Sequence, residues 1–424
     1  MNSESKKYYA SLSALLFFFF FTWSSAFSVV AIWLRKFVGL EGTDIGIIFS
    51  CISIVALCAQ PLYGFIQDKL GLKKNLLFYI AALLIGSGPF FMILAPLLQW
   101  NIFVGSMIGG LYVGMTFNAG IGVLESYTER VSRMRDFEYG KARMWGSLGW
   151  AAATFFAGRN ININPDYNFI MASVSGVIFM VILLRLKAVK TNALNNLEFG
   201  NPAAITVKDA LQLLVLPRFW ALILFVLGTC IYGVYDQQFM VYFAQQFADE
   251  SMGNEMYGYL NSLQVFLEAG GMFLAPYIVN RIGAKNGLLF ASSVMALRII
   301  GSGLVDGPIM ISVMKLLHAV ELPILLIAIF KYNSKHFDKR LSSTLYLVGF
   351  SCITSIVASV LSPLAGYGYD KIGFADTYLI MGSFVIITTV LSYFCLRNDS
   401  PDDHKPIAAN NNGKLNLVED KVAN

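Results

Sequence analysis

The feature of this sequence that most restricts its fold is a series of about twelve apolar segments, each close to the ~20 residues that cross a bilayer. They lie at roughly 10–34, 44–67, 75–98, 102–128, 143–162, 167–186, 219–246, 256–279, 285–304, 309–332, 341–368 and 374–396. Backbone groups in lipid must find their hydrogen-bond partners inside the protein, which favours helices. We therefore predict an all-α membrane protein with twelve transmembrane helices.

Composition and charge support a membrane protein and exclude several other classes. Charged residues form 13% of the chain, against roughly 25% in soluble domains. The net charge of +5 is too small to indicate a nucleic-acid-binding surface, so no nucleic-acid partner is predicted. The five cysteines lie in apolar stretches without a CxxC pair or a His/Cys ligand pattern, so no metal, cofactor or disulfide framework is predicted.

Basic residues are concentrated in alternate loops, and this asymmetry predicts how the chain crosses the membrane. Lys and Arg are frequent in loops on the side of the N-terminus and rare in the others, which places both termini in the cytoplasm. We predict a six-helix bundle at 1–186, a polar cytoplasmic loop at 187–217 and a second six-helix bundle at 218–397. The polar tail at 398–424 is predicted to be disordered.

A short charged motif recurs after three predicted helices. Its first copy, after the second helix, contains Gly64, Asp68, Lys69 and Gly71. Related copies lie at 280–285, after the eighth helix, and at 366–373, after the eleventh. The pattern resembles the loop signature of the major facilitator superfamily, so we assign the first copy to a gating loop. The resemblance implies two repeat-related bundles around a site at the membrane midplane.

Three ionisable residues lie inside one apolar segment, where a membrane helix should carry none. Lys315, His318 and Glu321 are spaced i, i+3, i+6, so they line one side of a helix. An ionisable side chain at the bilayer centre costs at least about 2.5–3.5 kcal/mol, so we expect all three to face a polar interior. A carboxylate beside a histidine indicates a proton site, and the chain is interpreted as a proton-coupled membrane transporter.

A second polar group lies in the first half of the chain. Arg143, Ser147 and Trp150 are spaced i, i+4, i+7 on the fifth helix, and Glu125 near the end of the fourth can face Arg143. A guanidinium, a carboxylate and an aromatic plate together can hold a polyol. Taken singly, the charges could form a structural ion pair and the tryptophan could serve packing. Taken together, they favour a sugar site.

Four segments carry a resemblance to a known family, at 138–150, 235–239, 315–323 and 337–344. They look like the oligosaccharide:proton symporter family of the major facilitator superfamily, which includes bacterial lactose, melibiose, raffinose and sucrose permeases. The similarity runs from the first helix to the last. It implies proton-coupled uptake of a disaccharide by alternating access, and we expect a carrier in the bacterial cytoplasmic membrane that functions as a monomer.

The resemblance also implies roles for individual residues. The sugar-binding set is Glu125, Arg143, Trp150, Ser147, Asn118, Glu268 and Tyr232. The proton-coupling set is Glu321, His318 and Arg298, and the interior ion pair is Asp236 and Lys315. Trp150 would stack on a galactosyl ring, and Glu321 would carry the proton.

Some positions depart from the lactose permease pattern. Gly233 and Thr354 stand where that permease has an aspartate and its lysine partner, so both charges are absent together and no lone buried charge remains. Val265 stands where it has a glutamate on helix eight, and we expect Glu268 to take over that carboxylate. These departures look like the sucrose permease, whereas the tryptophan and glutamate of the first half look like galactoside permeases. We favour galactosides such as melibiose or lactose, with sucrose as the alternative.

Other functional classes fit less well. A drug exporter of the same fold would have a more apolar cavity, and a facilitative uniporter would not need Glu321. The chain has no G-x-x-x-x-G-K-[ST] motif and no nucleophile–base set outside these helices, so neither ATP-driven transport nor an enzyme is predicted. The proton is then the coupling ion, and the expected partners are a disaccharide, the proton and the lipid bilayer.

Overall fold

The computed structural model describes residues 3–187, 216–337 and 347–398, without the side chains of residue 68 and residues 347–349. This part of the chain is helical and contains no strand. We number its helices α1 Ser3–Val38, α2 Gly42–Leu70, α3 Asn75–Ile85 with Ser87–Trp100, α4 Ile102–Arg135, α5 Tyr139–Ile163, α6 Asp166–Arg185, α7 Pro217–Gln245, α8 Glu250–Ile282, α9 Ala284–Leu304, α10 Pro308–His336, α11 Leu347–Cys352 with Ile353–Lys371 and α12 Phe374–Cys395. Most of the predicted central loop, nearly all of the tail and the segment 338–346 lie outside the described residues.

Most of these helices can cross a membrane by length and composition. Within the described ranges ten are long and apolar enough, and α3, which is bent by 56°, makes an eleventh. The exception is α5, which has 25 residues but is less apolar because it carries Lys141, Arg143 and Arg159. The prediction of an all-α membrane protein is confirmed.

Several helices are interrupted close to the predicted site. A π-helical turn, Gly114–Ala119, lies in the middle of α4 and contains Asn118. α7 is broken between Thr229 and Ile231, and α10 is broken at Leu317, next to His318. Irregular backbone at membrane depth is tolerated where it is buried in protein or lines a cavity, so these breaks point to the interior as the place of function.

The helices pack as two bundles that meet along two seams. In the first bundle α1 contacts α5 and α6, and in the second α9 contacts α10 and α12. The seams are α2 against α11 and α5 against α8. Glycines allow very close approach, since a Cβ on Gly158 would lie 2.2 Å from the Asn254 carbonyl oxygen, and one on Gly46 would lie 2.3 Å from that of Ser362. The bundles are therefore in backbone contact at both seams.

The two seams are closed on the side of the molecule opposite the chain termini, which we call the distal side. There the start of α2 meets the end of α11, and the end of α5 meets the start of α8. Across the second seam Asn162 donates to the Ser251 carbonyl oxygen at 2.6 Å, and Asn254 donates to Asn162 at 2.8 Å. Lys36 and Glu250 also form an ion pair between the bundles. The structure is thus closed on the distal side.

The three motif copies do not occupy equivalent places. Gly71 has φ = 58°, as a tight turn after α2 requires, and Lys69 lies 4.3 Å from the Phe65 ring. The copy at 366–373, in contrast, ends α11 on the distal side and contacts the beginning of α2. The interpretation of this third copy as a repeat in register is wrong, because α2 and α11 run in opposite directions at the seam.

Candidate functional site

The predicted sugar-binding charges form a pair in the first bundle. Arg143, near the start of α5, donates from Nε to Glu125 Oε1 at 2.5 Å, and each side chain is 32% exposed. The guanidinium also lies 4.3 Å from the Phe20 ring of α1. Phe20 belongs to an aromatic run at 17–21, of which Phe19 and Phe20 are buried because α1 packs against α5 and α6.

Aromatic rings surround this pair. Trp150 lies about two turns further along α5 than Arg143. Its ring stands at 77° to that of Trp23, with the centroids 5.6 Å apart. Trp23 in turn stacks on Phe117 at 5.7 Å. Ser147 and Asn118 are half-buried on the neighbouring turns. A partly exposed ion pair beside aromatic faces can bind hydroxyls and the C–H face of a sugar ring.

The predicted coupling residues come together in the second bundle, from α7, α9 and α10. Arg298 is completely buried and contacts both Asp236 oxygens, at 3.0 and 3.3 Å, and Glu321 Oε1 at 2.6 Å. His318 Nδ1 lies 2.8 Å from the same glutamate oxygen. Lys315 Nζ lies 3.4 Å from Asp236 Oδ1, so the predicted Asp236–Lys315 pair is present, but Arg298 is the nearer partner.

A tyrosine that the sequence analysis did not single out positions Arg298. The Tyr235 ring lies 4.7 Å from the guanidinium carbon, and its hydroxyl is 2.7 Å from Ser302 Oγ. Ser302 donates to the Arg298 carbonyl oxygen at 2.8 Å. Only the position of Tyr235 beside Asp236, in one of the segments that resemble the family, could have indicated this role.

The charges in this cluster predict unequal effects of two substitutions. Asp236→Asn would leave Arg298 with Glu321 as its carboxylate partner and would remove the carboxylate that Lys315 contacts, and breaking such a pair costs about 3 kcal/mol or more. Lys315→Met should cost less, because Asp236 keeps both bonds to Arg298. We expect the midpoint of thermal unfolding of the purified protein to fall clearly for Asp236→Asn and only slightly for Lys315→Met. Equal losses would contradict the assignment of Arg298 as the main partner.

Glu268 lies between the two groups. It is half-buried on α8, one turn from Gln264, and interacts electrostatically with His318, Lys315 and Arg143. It therefore interacts with charged residues of both bundles. Val265, the position where the lactose permease has a glutamate, lies about one turn before Glu268 on the same helix.

Two further predicted features can be located. Tyr232 packs against His318, with ring centroids 5.8 Å apart. The departure at Thr354 leaves a neutral contact, since its Oγ1 lies 3.0 Å from Cys230 Sγ, and a Cβ on Gly233 would meet no atom within 4 Å. The described residues contain no group of three His, Cys, Asp or Glu that could hold a metal ion.

A cavity of about 510 Å³ lies away from these residues, at the terminal end of the first bundle. It is lined by Tyr9, Ser132, Arg133, Asp136, Phe137, Glu138 and Lys141. None of these belongs to the predicted site, and the lining is largely charged surface. The charged groups between the bundles remain the candidate functional site.

Comparison with known proteins agrees with this arrangement. The chain is 45% identical over 380 residues to the melibiose permease of Enterobacter cloacae, and the aligned region covers 89% of each protein. It is 39% identical over 392 residues to the sucrose permease of Escherichia coli, covering 92% of this chain and 94% of that one. The crystal structure of the nucleoside transporter NupG superposes with a TM-score of 0.76 at 15% identity, over 94% of this chain and 100% of that one, which shows the shared fold. A model of the LacY proton/sugar symporter family matches residues 1–406, and the chain belongs to that family.

Proposed function

We propose that this chain takes up a galactoside together with a proton, by alternating access across the cytoplasmic membrane of a bacterium. Both termini are placed in the cytoplasm, and the distal side of the molecule faces outward. The proton is the coupling ion, no cofactor is needed, and one chain suffices for transport. The protein acts as a permease and not as an enzyme.

The observation that carries the proposal is the environment of Glu321. Its side chain is completely buried, its Oε1 is shared by Arg298 and His318, and its Oε2 has no hydrogen-bond partner among the described residues. A buried oxygen without a donor suits a carboxyl group that gains and loses a proton, because the protonated oxygen carries no charge. Arg298 lies 2.6 Å from Oε1 and is the ion-pair partner of the carboxylate once the proton has left.

Charge balance links the proton to the sugar. Asp236 and Glu321 offset the charges of Arg298 and Lys315, so protonation of Glu321 adds one positive charge to the cluster. Glu268 interacts with Lys315 and His318 and also with Arg143, so it can offset that charge when the two bundles close around a sugar. Protonation of Glu321 would then favour the sugar-binding form.

The transport cycle follows from the closed distal side. Sugar binds between the bundles of the protonated carrier while the distal side is open. The loaded carrier then closes on the distal side and opens toward the cytoplasm. Release of sugar to the cytoplasm lets water reach the cluster and accept the proton of Glu321, and the carboxylate then pairs with Arg298. The empty carrier then returns. Close contacts such as that of Gly158 with Asn254 hold the distal side closed and have to separate when that side opens.

The choice of sugar rests on the first bundle. Trp150 offers a broad aromatic face to the C–H side of a galactosyl ring, and Glu125 holds Arg143 in place to bind ring hydroxyls. Both relatives named above, a melibiose permease and a sucrose permease, match nearly the whole chain. Galactosides are favoured, with melibiose ahead of lactose, and sucrose is the alternative.

Competition between sugars tests this choice. In transport-deficient cells that express the chain, unlabelled melibiose should block uptake of radiolabelled melibiose, and sucrose should block it weakly. The physical reason is the stacking of a galactosyl ring on Trp150. Inhibition by sucrose without inhibition by melibiose or lactose would reverse the assignment. If sugar addition failed to alkalinise a lightly buffered cell suspension, the carrier would be a uniporter instead.

A further inference from the structure

The first turn of α2 is held by side chains of the opposite bundle. Asp370, near the end of α11, accepts the Gly42 N–H on Oδ1 at 2.8 Å and the Thr43 N–H on Oδ2 at 2.7 Å. The Thr43 hydroxyl donates to the same Oδ2 at 2.7 Å. Gln238 of α7 donates to the Gly42 carbonyl oxygen at 2.9 Å and is itself buried. Both backbone polar groups of Gly42 are therefore bonded to side chains of the second bundle.

These bonds replace a cap that α2 does not form by itself. Glu41 is the N-cap residue of α2, and its side chain makes no capping bond. The first N–H groups of a helix need an acceptor, and a carboxylate at this end is also stabilised by the helix dipole. Asp370 supplies that acceptor from the other bundle.

Close packing allows the carboxylate to reach α2. A Cβ on Gly366 would lie 2.1 Å from the Gly42 carbonyl oxygen, and a Cβ on Gly42 would lie 2.8 Å from Asp370 Oδ1. A charged contact on the same side, Lys36 with Glu250, is more than a third exposed at each side chain and so contributes little. The Asp370 carboxylate, in contrast, joins the bundles on the distal side through three hydrogen bonds.

We propose that Asp370 is an N-cap for α2 that exists only while the distal side is closed, and that it thereby sets the fraction of carriers closed on that side. Opening the seam between α2 and α11 removes three hydrogen bonds and leaves the first N–H groups of α2 to water. The inference uses the alternating access of the proposed function but does not depend on which sugar is carried or on proton coupling.

The experiment measures how often the distal side opens in the purified full-length protein in lipid nanodiscs. The reporter is Thr154→Cys in a background with the five native cysteines replaced. Thr154 is completely buried in the other seam, where it accepts from Asn261 at 3.2 Å, and cysteine is close to it in size. The rate of its reaction with N-ethylmaleimide reports separation of α5 from α8. The variants are Asp370→Ala and Asp370→Asn, with the exposed Asp376→Ala on the same side as the matched control.

We expect the labelling rate to rise about fivefold or more for Asp370→Ala, and less for Asp370→Asn, which keeps one acceptor oxygen. The rate for Asp376→Ala should equal that of the parent. Thr43→Val removes only the hydroxyl bond to Asp370 and should raise the labelling rate slightly. This variant replaces Asp370→Ala in the test if the alanine variant does not fold. A parent-like rate in a folded Asp370→Ala protein would overturn the inference. If the labelling rate rises in Asp370→Ala but the parent protein transports no galactoside, the role of Asp370 is supported and the proposed substrate is rejected.

Discussion

Replacement of Glu321 by glutamine is expected to abolish accumulation of sugar against a gradient while sugar binding and sugar exchange persist. Glutamine keeps the size of the side chain and can still accept from Arg298, but it neither gains nor loses a proton. The proton gradient then has no group on which to act. Internal sugar should level off at the external concentration, as measured by uptake of radiolabelled melibiose in energised cells.

A matched substitution separates this effect from a general loss of charge. The control is Asp306→Asn, which changes an exposed carboxylate in the connection before α10. This variant should still accumulate sugar as fully as the parent. Exchange should be measured in membrane vesicles prepared from the same cells, with labelled sugar inside and unlabelled sugar outside. Continued accumulation by Glu321→Gln would remove Glu321 from the proton pathway, and loss of exchange would indicate a structural defect instead.

The sequence predicted the helices well because lipid imposes a simple rule on them. Apolar segments of about twenty residues gave all twelve helices, and the breaks at Leu317 and Gly114–Ala119 were the main features missed. Breaks depend on local hydrogen bonds and on neighbours, such as the Gln60 side chain that donates to the Asn118 carbonyl oxygen at 3.1 Å. Periodicity along one helix carries no information on such partners.

The site was predictable where it is local or resembles the family. His318 and Glu321 are three residues apart, so helical spacing alone brought them together. The bond between Arg298 and Asp236 joins α9 to α7, and only the packing of three helices could show that Arg298 competes with Lys315 for the same carboxylate. For the same reason the role of Tyr235 beside Arg298 was missed.

Contacts between the two bundles were the least predictable. The motif at 366–373 was interpreted as a repeat of a charged loop, because its letters match those after α2. Its aspartate instead caps the beginning of α2 on the opposite side of the molecule. What such a motif contacts depends on the direction of its helix and on the side of the membrane where the helix ends. The residues of the motif alone do not indicate either.

Arg143→Ala is expected to remove detectable sugar binding, with a fall in affinity of at least about a hundredfold. Arg143 supplies charge-assisted bonds of about 1.5–3 kcal/mol each, and two of them account for that factor. The substitution also leaves Glu125 without its partner and uncovers the Phe20 ring. The measurement is equilibrium binding of melibiose to the purified protein, by calorimetry or by quenching of tryptophan fluorescence.

The control for this prediction lies on the same helix. Arg159→Ala removes an equal charge from the exposed end of α5 and should leave the affinity unchanged. Glu125→Gln should weaken binding less than Arg143→Ala, because glutamine can still accept from Nε and hold the guanidinium, whereas nothing replaces the guanidinium itself. If Arg143→Ala bound melibiose with the affinity of the parent, the Glu125–Arg143 pair would be a structural ion pair, and the sugar site would have to lie nearer Glu268.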